Sequence, residues 1–390
     1  MRLTVVPDPL DLTGIPIEVR PDRTVRVKII DACGLACTFC HNEGTPVTAD
    51  NRDRSPQGYT GGTGPRTGRV SIYVATNRAG FLSTRIEPGP DFALALAAMR
   101  GSLAIEEVHF TGGEPTLHPE LPELVALARS MGLTVGLTSN GENGAAVIPA
   151  AAEAGLDRIN LSVFGTTPSE LAAVQGSRLA GVGLAARKLA ALDRTIEAAI
   201  AHGVKVSANM VVPDGSHVPR GLRVLDTYGQ HVVVRLLLNL ETADASSEAM
   251  REVLTMVGAT PDRHFVTAGT SDQRTRYRLP DGRTMYVKTI RPVRLPGTCA
   301  GCHFNNPRDC QEGYYGVRLY KSAEGPFMVG VCIRRMDLTV TLGEFVMSRL
   351  SREVQELRGD EMARLTTLAR ESGSAGIPVS DAKSSAGSLS

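Results

Sequence analysis

Between residues 25 and 240, short apolar, β-branched runs alternate with longer amphipathic stretches. The runs predict six strands, at residues 25–30, 107–110, 134–138, 158–164, 204–212 and 232–240. Amphipathic stretches at residues 119–131 and 184–202 predict two of the helices that connect them. Strands that alternate with helices are typical of repeated βα units and a parallel sheet. The pattern therefore predicts an α/β fold in which six βα units form an open barrel, with the functional motifs at the carboxyl ends of its strands.

Two segments do not follow this alternation. Residues 45–88 form a long insertion with a glycine-rich run, which favours a lid or a substrate-facing loop over a plain surface loop. Residues 366–390 are rich in small and polar residues, and we interpret them as a disordered tail. The predicted organisation is an N-terminal extension (1–22), the barrel (23–245), a C-terminal domain (246–365) and this tail.

Composition limits the class of protein. The 390 residues carry a formal net charge of +1, so electrostatics gives no reason to expect a nucleic-acid or membrane partner. Prolines interrupt the opening residues, which therefore contain neither a signal peptide nor a membrane span. The seven cysteines are odd in number and clustered, which argues against a secreted disulfide framework. We expect a cytoplasmic protein.

Cysteines near the start of the chain are spaced to hold three irons of a four-iron cluster, leaving the fourth iron open to a ligand. They are Cys33, Cys37 and Cys40. A structural zinc site would require four protein ligands, and no partner pair lies near this run. Later the chain reads Phe-Thr-Gly-Gly-Glu-Pro from residue 110. Gly112 and Gly113 would let the backbone approach a cofactor closely, and Glu114 is a candidate partner for a cationic amino group. The alternative is a simple turn that ends a strand.

These two motifs, in this order, resemble those of radical S-adenosylmethionine (SAM) enzymes. The resemblance implies a partial (β/α)6 radical SAM barrel with a small C-terminal auxiliary-cluster domain. It also implies a [4Fe-4S] cluster with bound SAM, a 5′-deoxyadenosyl radical that takes hydrogen from the substrate, and a reducing partner such as flavodoxin or ferredoxin. Further SAM contacts that it implies are Phe39, Ser139, Asn140, Ser162, Asn209 and Leu240. The last five could instead be ordinary strand-end polar or core residues.

A second group of cysteines follows near the C-terminus. Cys299, Cys302 and Cys332, with Arg318 on an intervening strand, resemble the auxiliary-cluster region of the molybdenum-cofactor GTP 3′,8-cyclase family. The chain departs from that family in its longer cysteine interval and in lacking both the double-glycine end and two substrate-binding arginines. His109 also replaces an arginine. We therefore do not expect cofactor biosynthesis itself.

Cys310 lies inside the longer interval and decides between two chemistries. As a fourth ligand it would close a second [4Fe-4S] cluster, which would then be an electron relay or a structural element. If it is free, an open iron could bind substrate. A zinc site built by Cys299, Cys302, Cys310 and Cys332 is the structural alternative.

The substrate is expected to be a small molecule, such as a nucleotide or sugar in natural-product biosynthesis. Candidate substrate-binding residues are His109, Lys205 and Arg318, and Arg235, Arg334 and Arg335 are further candidates for an anionic substrate. The sequence indicates no general acid or base. A peptide-modifying radical enzyme is an alternative, although only about thirty residues precede the cysteine loop. A non-catalytic iron-sulfur or zinc scaffold is another.

Overall fold

The computed structural model describes residues 8–37, 83–176, 179–307, 309–333 and 335–371. Its strands are β1 (Ile17–Pro21), β2 (Thr24–Ile30), β3 (Ser83–Thr84), β4 (Glu107–Gly112), β5 (Thr134–Ser139), β6 (Arg158–Ser162), β7 (Lys205–Val212), β8 (Val233–Leu238), β9 (Thr260–Ala268), β10 (Asp272–Arg278), β11 (Thr284–Ile290), β12 (Val317–Ser322), β13 (Phe327–Gly330) and β14 (Val340–Thr341). Its helices are α1 (Pro90–Leu103), α2 (Leu121–Ser130), α3 (Gly144–Glu153), α4 (Pro168–Ala173), α5 (Val182–Ala201), α6 (Val218–Tyr228), α7 (Ala243–Met256), α8 (Leu342–Met347) and α9 (Arg349–Glu371). None of the helices in these ranges is both long and apolar enough to cross a membrane.

Six parallel strands form the centre of one sheet, in the order β2-β4-β5-β6-β7-β8. These are the six predicted strands, and each observed boundary lies within two residues of the predicted one. C-terminal strands extend the sheet at both edges, since β12 runs parallel to β2 and β11 runs parallel to β8. The α/β prediction with a parallel strand core is therefore confirmed, and the C-terminal part of the chain continues the same sheet.

Three predicted boundaries separate segments that pack together in the structure. Residues 17–21 do not belong to a separate N-terminal extension, because β1 pairs with β9. The boundary at residue 245 falls inside α7, whose buried side chains Met250 and Val253 belong to the main core. The tail does not start at residue 366, because α9 continues to Glu371 and buries Ala369 beside β1 and β9. The division of the chain into domains stays a prediction.

The end of the predicted insertion is part of the fold. β3 pairs antiparallel with β12, and Ile86 is buried in the main core. Residues 45–82, which make up the rest of the insertion, lie outside the described residues. The predicted tail beyond residue 371 lies outside them as well.

The central strands divide their side chains between two faces. One face carries buried apolar side chains that pack against the helices: Val27, Ile29, Val108, Phe110, Val135, Leu137, Ile159, Leu161, Ala208, Met210, Val234 and Leu236. Each of these stabilises the fold by roughly 1.5–3 kcal/mol when fully buried, apart from the smaller alanine. Strand pairing aligns polar residues on the other face: Arg26, Lys28, His109, Thr111, Thr138, Arg158, Asn160, Ser207, Asn209 and Arg235. If one strand shifted by a single residue against its neighbour, its apolar and polar side chains would exchange faces. The packing of the apolar side chains against the helices therefore also fixes the direction of the polar side chains.

The polar face curls around an interior space, which we call the lumen. The guanidinium of Arg26 on β2 lies 4.7 Å from the ring centroid of Tyr315, and Nζ of Lys288 on β11 lies 4.9 Å from the same centroid. Five strands separate β2 from β11 in the sheet. One ring can contact both only because the sheet curves strongly. The charged side chains of distant strands therefore face one another across the lumen.

Candidate active site

The cysteine loop follows β2 at the carboxyl end of the sheet. Sγ of Cys33 accepts hydrogen bonds from the Leu35 N–H and from Nδ2 of Asn140, both at 3.5 Å. Sγ of buried Cys37 accepts one from Nε2 of Gln175 at 3.4 Å. N–H donors of this kind stabilise thiolates that bind iron, so the two side chains fit a cluster site. Cys40 and Phe39 lie outside the described residues.

The two glycines of the Gly-Gly-Glu motif are required by the cysteine loop itself. The Gly113 N–H donates to the Ile30 carbonyl, and the Glu114 N–H donates to the Ala32 carbonyl, both at 2.7 Å. A Cβ atom on Gly113 would overlap carbonyl oxygens of the cysteine loop, and one on Gly112 would overlap the Ile30 carbonyl oxygen. The close approach predicted toward a cofactor is thus observed toward the loop, and contact with a cofactor stays a prediction.

Glu114 joins the ends of β4 and β5. Its Oε1 accepts from the Thr116 N–H at 2.9 Å and from the hydroxyls of Thr116 and Ser139 at 2.6 Å, and its Oε2 accepts from the Asn140 N–H at 2.6 Å. The side chain is fully buried, and burial raises the pKa of its carboxyl although these donors oppose the rise. The described contacts of this carboxylate are internal. A direct contact with a cationic amino group therefore stays a prediction, while the geometry gives Glu114 an organising role.

Two distant side chains anchor the cysteine loop. Oε1 of Glu142 accepts from the Gly34 N–H at 2.7 Å, and Glu142 also forms an ion pair with Lys188. Oε1 of Gln175 accepts from the Ala36 N–H at 2.8 Å. Sequence reasoning missed both. Glu142 could have been found, since it follows a strand end already considered, whereas no sequence signal marks Gln175.

Predicted SAM contacts on β6 and β7 lie side by side. Ser162 and Asn209 are register partners, and Ser162 lines a small depression with Leu35 and Asn140. Oδ1 of Asn209 is buried and has no hydrogen-bond partner among the described residues. Because an unpaired buried oxygen is costly, this atom fits a position that a bound ligand completes. Leu240 is half-buried just after β8.

The lumen is rich in positive charge, which Glu107 and Asp272 offset in part. Arg235 donates to Oδ1 of Asn160 at 3.0 Å, but no described carboxylate lies within ion-pair distance of its guanidinium. Burial, with Arg274 and Arg158 nearby, lowers the pKa of Arg235 to about 10, so it remains charged at neutral pH. Burial and the charges of Arg26 and Arg158 hold the pKa of His109 well below its usual range. His109 is therefore neutral, and its Nε2 lies 2.7 Å from the Thr138 hydroxyl.

The other predicted substrate residues lie in different places. Lys205 is exposed at the start of β7, so its contact with substrate stays a prediction. It lies four residues before Asn209, or ~13 Å along a strand. Arg318 is buried on β12 as the register partner of Arg26. Arg334 lies outside the described residues, and Arg335 is at the second cysteine site.

A three-residue network in the lumen was not predicted. Lys288 donates to the Tyr315 hydroxyl and lies 2.8 Å from Oδ1 of Asp272, to which the same hydroxyl donates at 2.9 Å. Burial alone would raise the pKa of Asp272, but Lys288 holds it below its usual range. Burial would lower the pKa of Lys288, and Asp272 outweighs this effect and raises it. Burial raises the pKa of Tyr315. The network is therefore an ion pair with a protonated phenol at neutral pH.

The C-terminal cysteines surround one cavity. Its wall includes Cys299, Cys302, Cys310 and Cys332, together with Tyr314, Arg294 and Arg335. Burial raises the pKa of the Cys299 thiol. Within the described part of the chain, no three His, Cys, Asp or Glu side chains are grouped closely enough to hold a single metal ion. The structure thus brings Cys310 to the other three, and its role as a ligand stays a prediction.

Helix α9 fixes the loop that carries the first of these cysteines. Oε1 of Glu353 accepts from the Gly297 N–H at 2.6 Å and from the Thr298 N–H at 2.9 Å, and Oε2 accepts from the Thr298 hydroxyl at 2.7 Å. These three hydrogen bonds to one carboxylate hold Thr298, the residue before Cys299, in place.

The chain is similar to several known proteins. Residues 27–217 match the family model described as the radical SAM superfamily. A GTP 3′,8-cyclase from Chlorobaculum tepidum is 31% identical over 141 residues, which cover 36% of this chain and 32% of that protein. A probable GTP 3′,8-cyclase from Metallosphaera sedula is 25% identical over 319 residues, 77% of this chain and 82% of that protein. Among solved structures, SuiB of Streptococcus suis bound to S-adenosylmethionine has a TM-score of 0.41 at 15% identity, covering 64% of this chain and 51% of that one.

Proposed function

The chain belongs to the radical SAM superfamily, and from that premise we propose that it removes hydrogen from a small anionic molecule held in the lumen. Cys33, Cys37 and Cys40 would hold the [4Fe-4S] cluster. SAM bound there supplies a 5′-deoxyadenosyl radical on reductive cleavage. Asn140 and Gln175 donate hydrogen bonds to the thiolates, and the unpaired Asn209 oxygen offers a contact for the ligand.

One feature of the lumen supports an anionic substrate. Arg235 is half-buried, its Nε is buried without a hydrogen-bond partner, and no described carboxylate lies within ion-pair distance of its guanidinium. Arg26 and Arg274 lie in the same lumen. Withdrawing a charge from water without a counter-charge is unfavourable. A phosphate or carboxylate of the substrate would provide the missing counter-charge, with the planar guanidinium suited to bind two of its oxygens.

The second cysteine site is the other half of this proposal. Cys299, Cys302, Cys310 and Cys332 would hold a second cluster, closed by four thiolates, that relays electrons or stabilises the fold. A zinc site built by the same four cysteines is the alternative.

Cyclisation of GTP is a second candidate, favoured by the names of the relatives. His109 stands where the resemblance implies an arginine, which argues against it. A nucleotide or sugar in natural-product biosynthesis remains part of our proposal.

Two measurements test the proposal. Reconstituted protein with SAM and dithionite should form 5′-deoxyadenosine, and Cys37→Ala should abolish this while Cys332→Ala retains it. Cleavage that survives Cys37→Ala would contradict the assignment.

For the lumen, GTP and inorganic triphosphate are the probes in calorimetry. Arg235→Gln should weaken binding about tenfold or more, as expected for a lost charged hydrogen bond, whereas Arg129→Gln on the outer helix α2 should not. Equal binding by both variants would refute the anion site.

A further inference from the structure

A fixed guanidinium points at one thiol of the second cysteine site. Nε and Nη2 of Arg335 donate to the two carboxylate oxygens of Asp337, at 2.7 and 2.6 Å. Its third nitrogen, Nη1, donates to Sγ of Cys302 at 3.7 Å. A two-point bond to a carboxylate fixes the plane of a guanidinium. Arg335 is therefore held in place as a donor to Cys302, and it is not a free binding group for substrate.

A second guanidinium lies in the same wall. Arg294 donates to Oδ1 of Asn305 at 2.8 Å and to the Val293 carbonyl at 3.1 Å, and it also contacts the Cys310 carbonyl. With a cluster bound as proposed, the four cysteines would be thiolates and would concentrate negative charge in this cavity. Positive groups at its edge would offset that charge, and they would stabilise the reduced, more negative state of the cluster more than the oxidised state.

We propose that Arg335 raises the reduction potential of the iron-sulfur centre held by Cys299, Cys302, Cys310 and Cys332. Hydrogen bonds to cluster sulfurs and local charge set such potentials. The step concerned is the transfer of one electron to the cluster from a low-potential one-electron donor, such as a reduced flavodoxin or ferredoxin, in which no bond breaks and no proton moves. The inference rests on the proposed second cluster, and it gives that cluster the role of an electron acceptor in preference to a purely structural one.

The experiment isolates the second centre. Cys33, Cys37 and Cys40 are replaced together by Ala, and the full-length protein is titrated anaerobically with dithionite while paramagnetic resonance follows the reduced centre. In this background, Arg335→Gln should lower the equilibrium constant for reduction about tenfold, the size expected for one charged hydrogen bond. For a one-electron couple, tenfold corresponds to about 59 mV. Arg335→Lys keeps the charge and should recover most of the difference.

The controls distinguish the effect of Arg335 on the potential from the presence of the second cluster. Arg129→Gln removes an arginine on α2 that pairs with Asp157 in the loop before β6, and it should leave the potential unchanged. If Arg335→Gln does not assemble iron, Arg335→Met provides the second neutral variant. An unchanged potential in the neutral variant overturns this inference but leaves the second cluster intact. Zinc without iron at this site in the parent protein overturns both.

Discussion

Replacing Glu114 by Gln tests whether this residue organises the active site or contacts the ligand directly. The carboxylate accepts four hydrogen bonds from three residues at the ends of β4 and β5. Gln has nearly the same shape but replaces one accepting oxygen with a donating NH2 group. If the organising role is correct, the change must destabilise the protein even without iron or SAM.

The size of the effect follows from the donors. The new amide nitrogen would face the N–H of either Asn140 or Thr116, and neither N–H can accept a hydrogen bond. One buried donor then loses its partner, which costs roughly 1–3 kcal/mol. The remaining bonds lose their ionic character and weaken, because charged hydrogen bonds are roughly twice as strong as neutral ones. We expect a total loss of about 2–4 kcal/mol in the free energy of unfolding.

Urea unfolding of the iron-free protein, followed by circular dichroism, measures this loss. Glu123→Gln on the exposed side of α2 is the matched control, and it should change stability by no more than about 0.5 kcal/mol. The reasoning is refuted if Glu114→Gln unfolds at the same urea concentration as the control. A Glu114→Gln protein that is as stable as the control but binds SAM more weakly would indicate direct contact with the ligand instead.

Two further predictions concern the cysteine loop and the lumen. Gln175→Leu removes the donor to Cys37 and the acceptor of the Ala36 N–H. Iron at the first site should then pass to a chelator several-fold faster, at a rate measured against wild type, and an equal rate would exclude the anchoring role. Lys288 holds the pKa of Asp272 below its usual value, so this carboxylate stabilises the fold above about pH 4 and loses that contribution as the pH falls. In thermal melts, Asp272→Asn should show a smaller decline in melting temperature between about pH 5 and pH 3, whereas parallel declines would contradict the assignment.

Local sequence patterns were enough to predict the strands and to locate the motifs, because each of these features depends on only a few consecutive residues. The alternation in β4 places Val108 and Phe110 against the helices and His109 in the lumen, and six residues suffice to reveal this. The sequence was less informative where the role of a residue depends on its position along a strand or on a contact with a distant part of the chain. The alternation in β7 places Lys205 on the same face as the lumen residues. It lies at the start of the strand, however, and not at the carboxyl end where the motifs are. Gln175 contacts Ala36 across 139 positions, and no local periodicity encodes such a contact.

The short segment before β12 couples the two halves of the site. Tyr314 lines the cavity of the second cysteine group, while the ring of Tyr315 lies between Arg26 and Lys288 in the lumen. Adjacent Cα atoms are only about 3.8 Å apart. β12 begins two residues later and is fixed to β2, the strand that leads into the first cysteine loop. A displacement of this segment would therefore move the wall of the second site and the cationic side of the lumen together. The sheet explains this coupling, because the C-terminal strands are built into both of its edges.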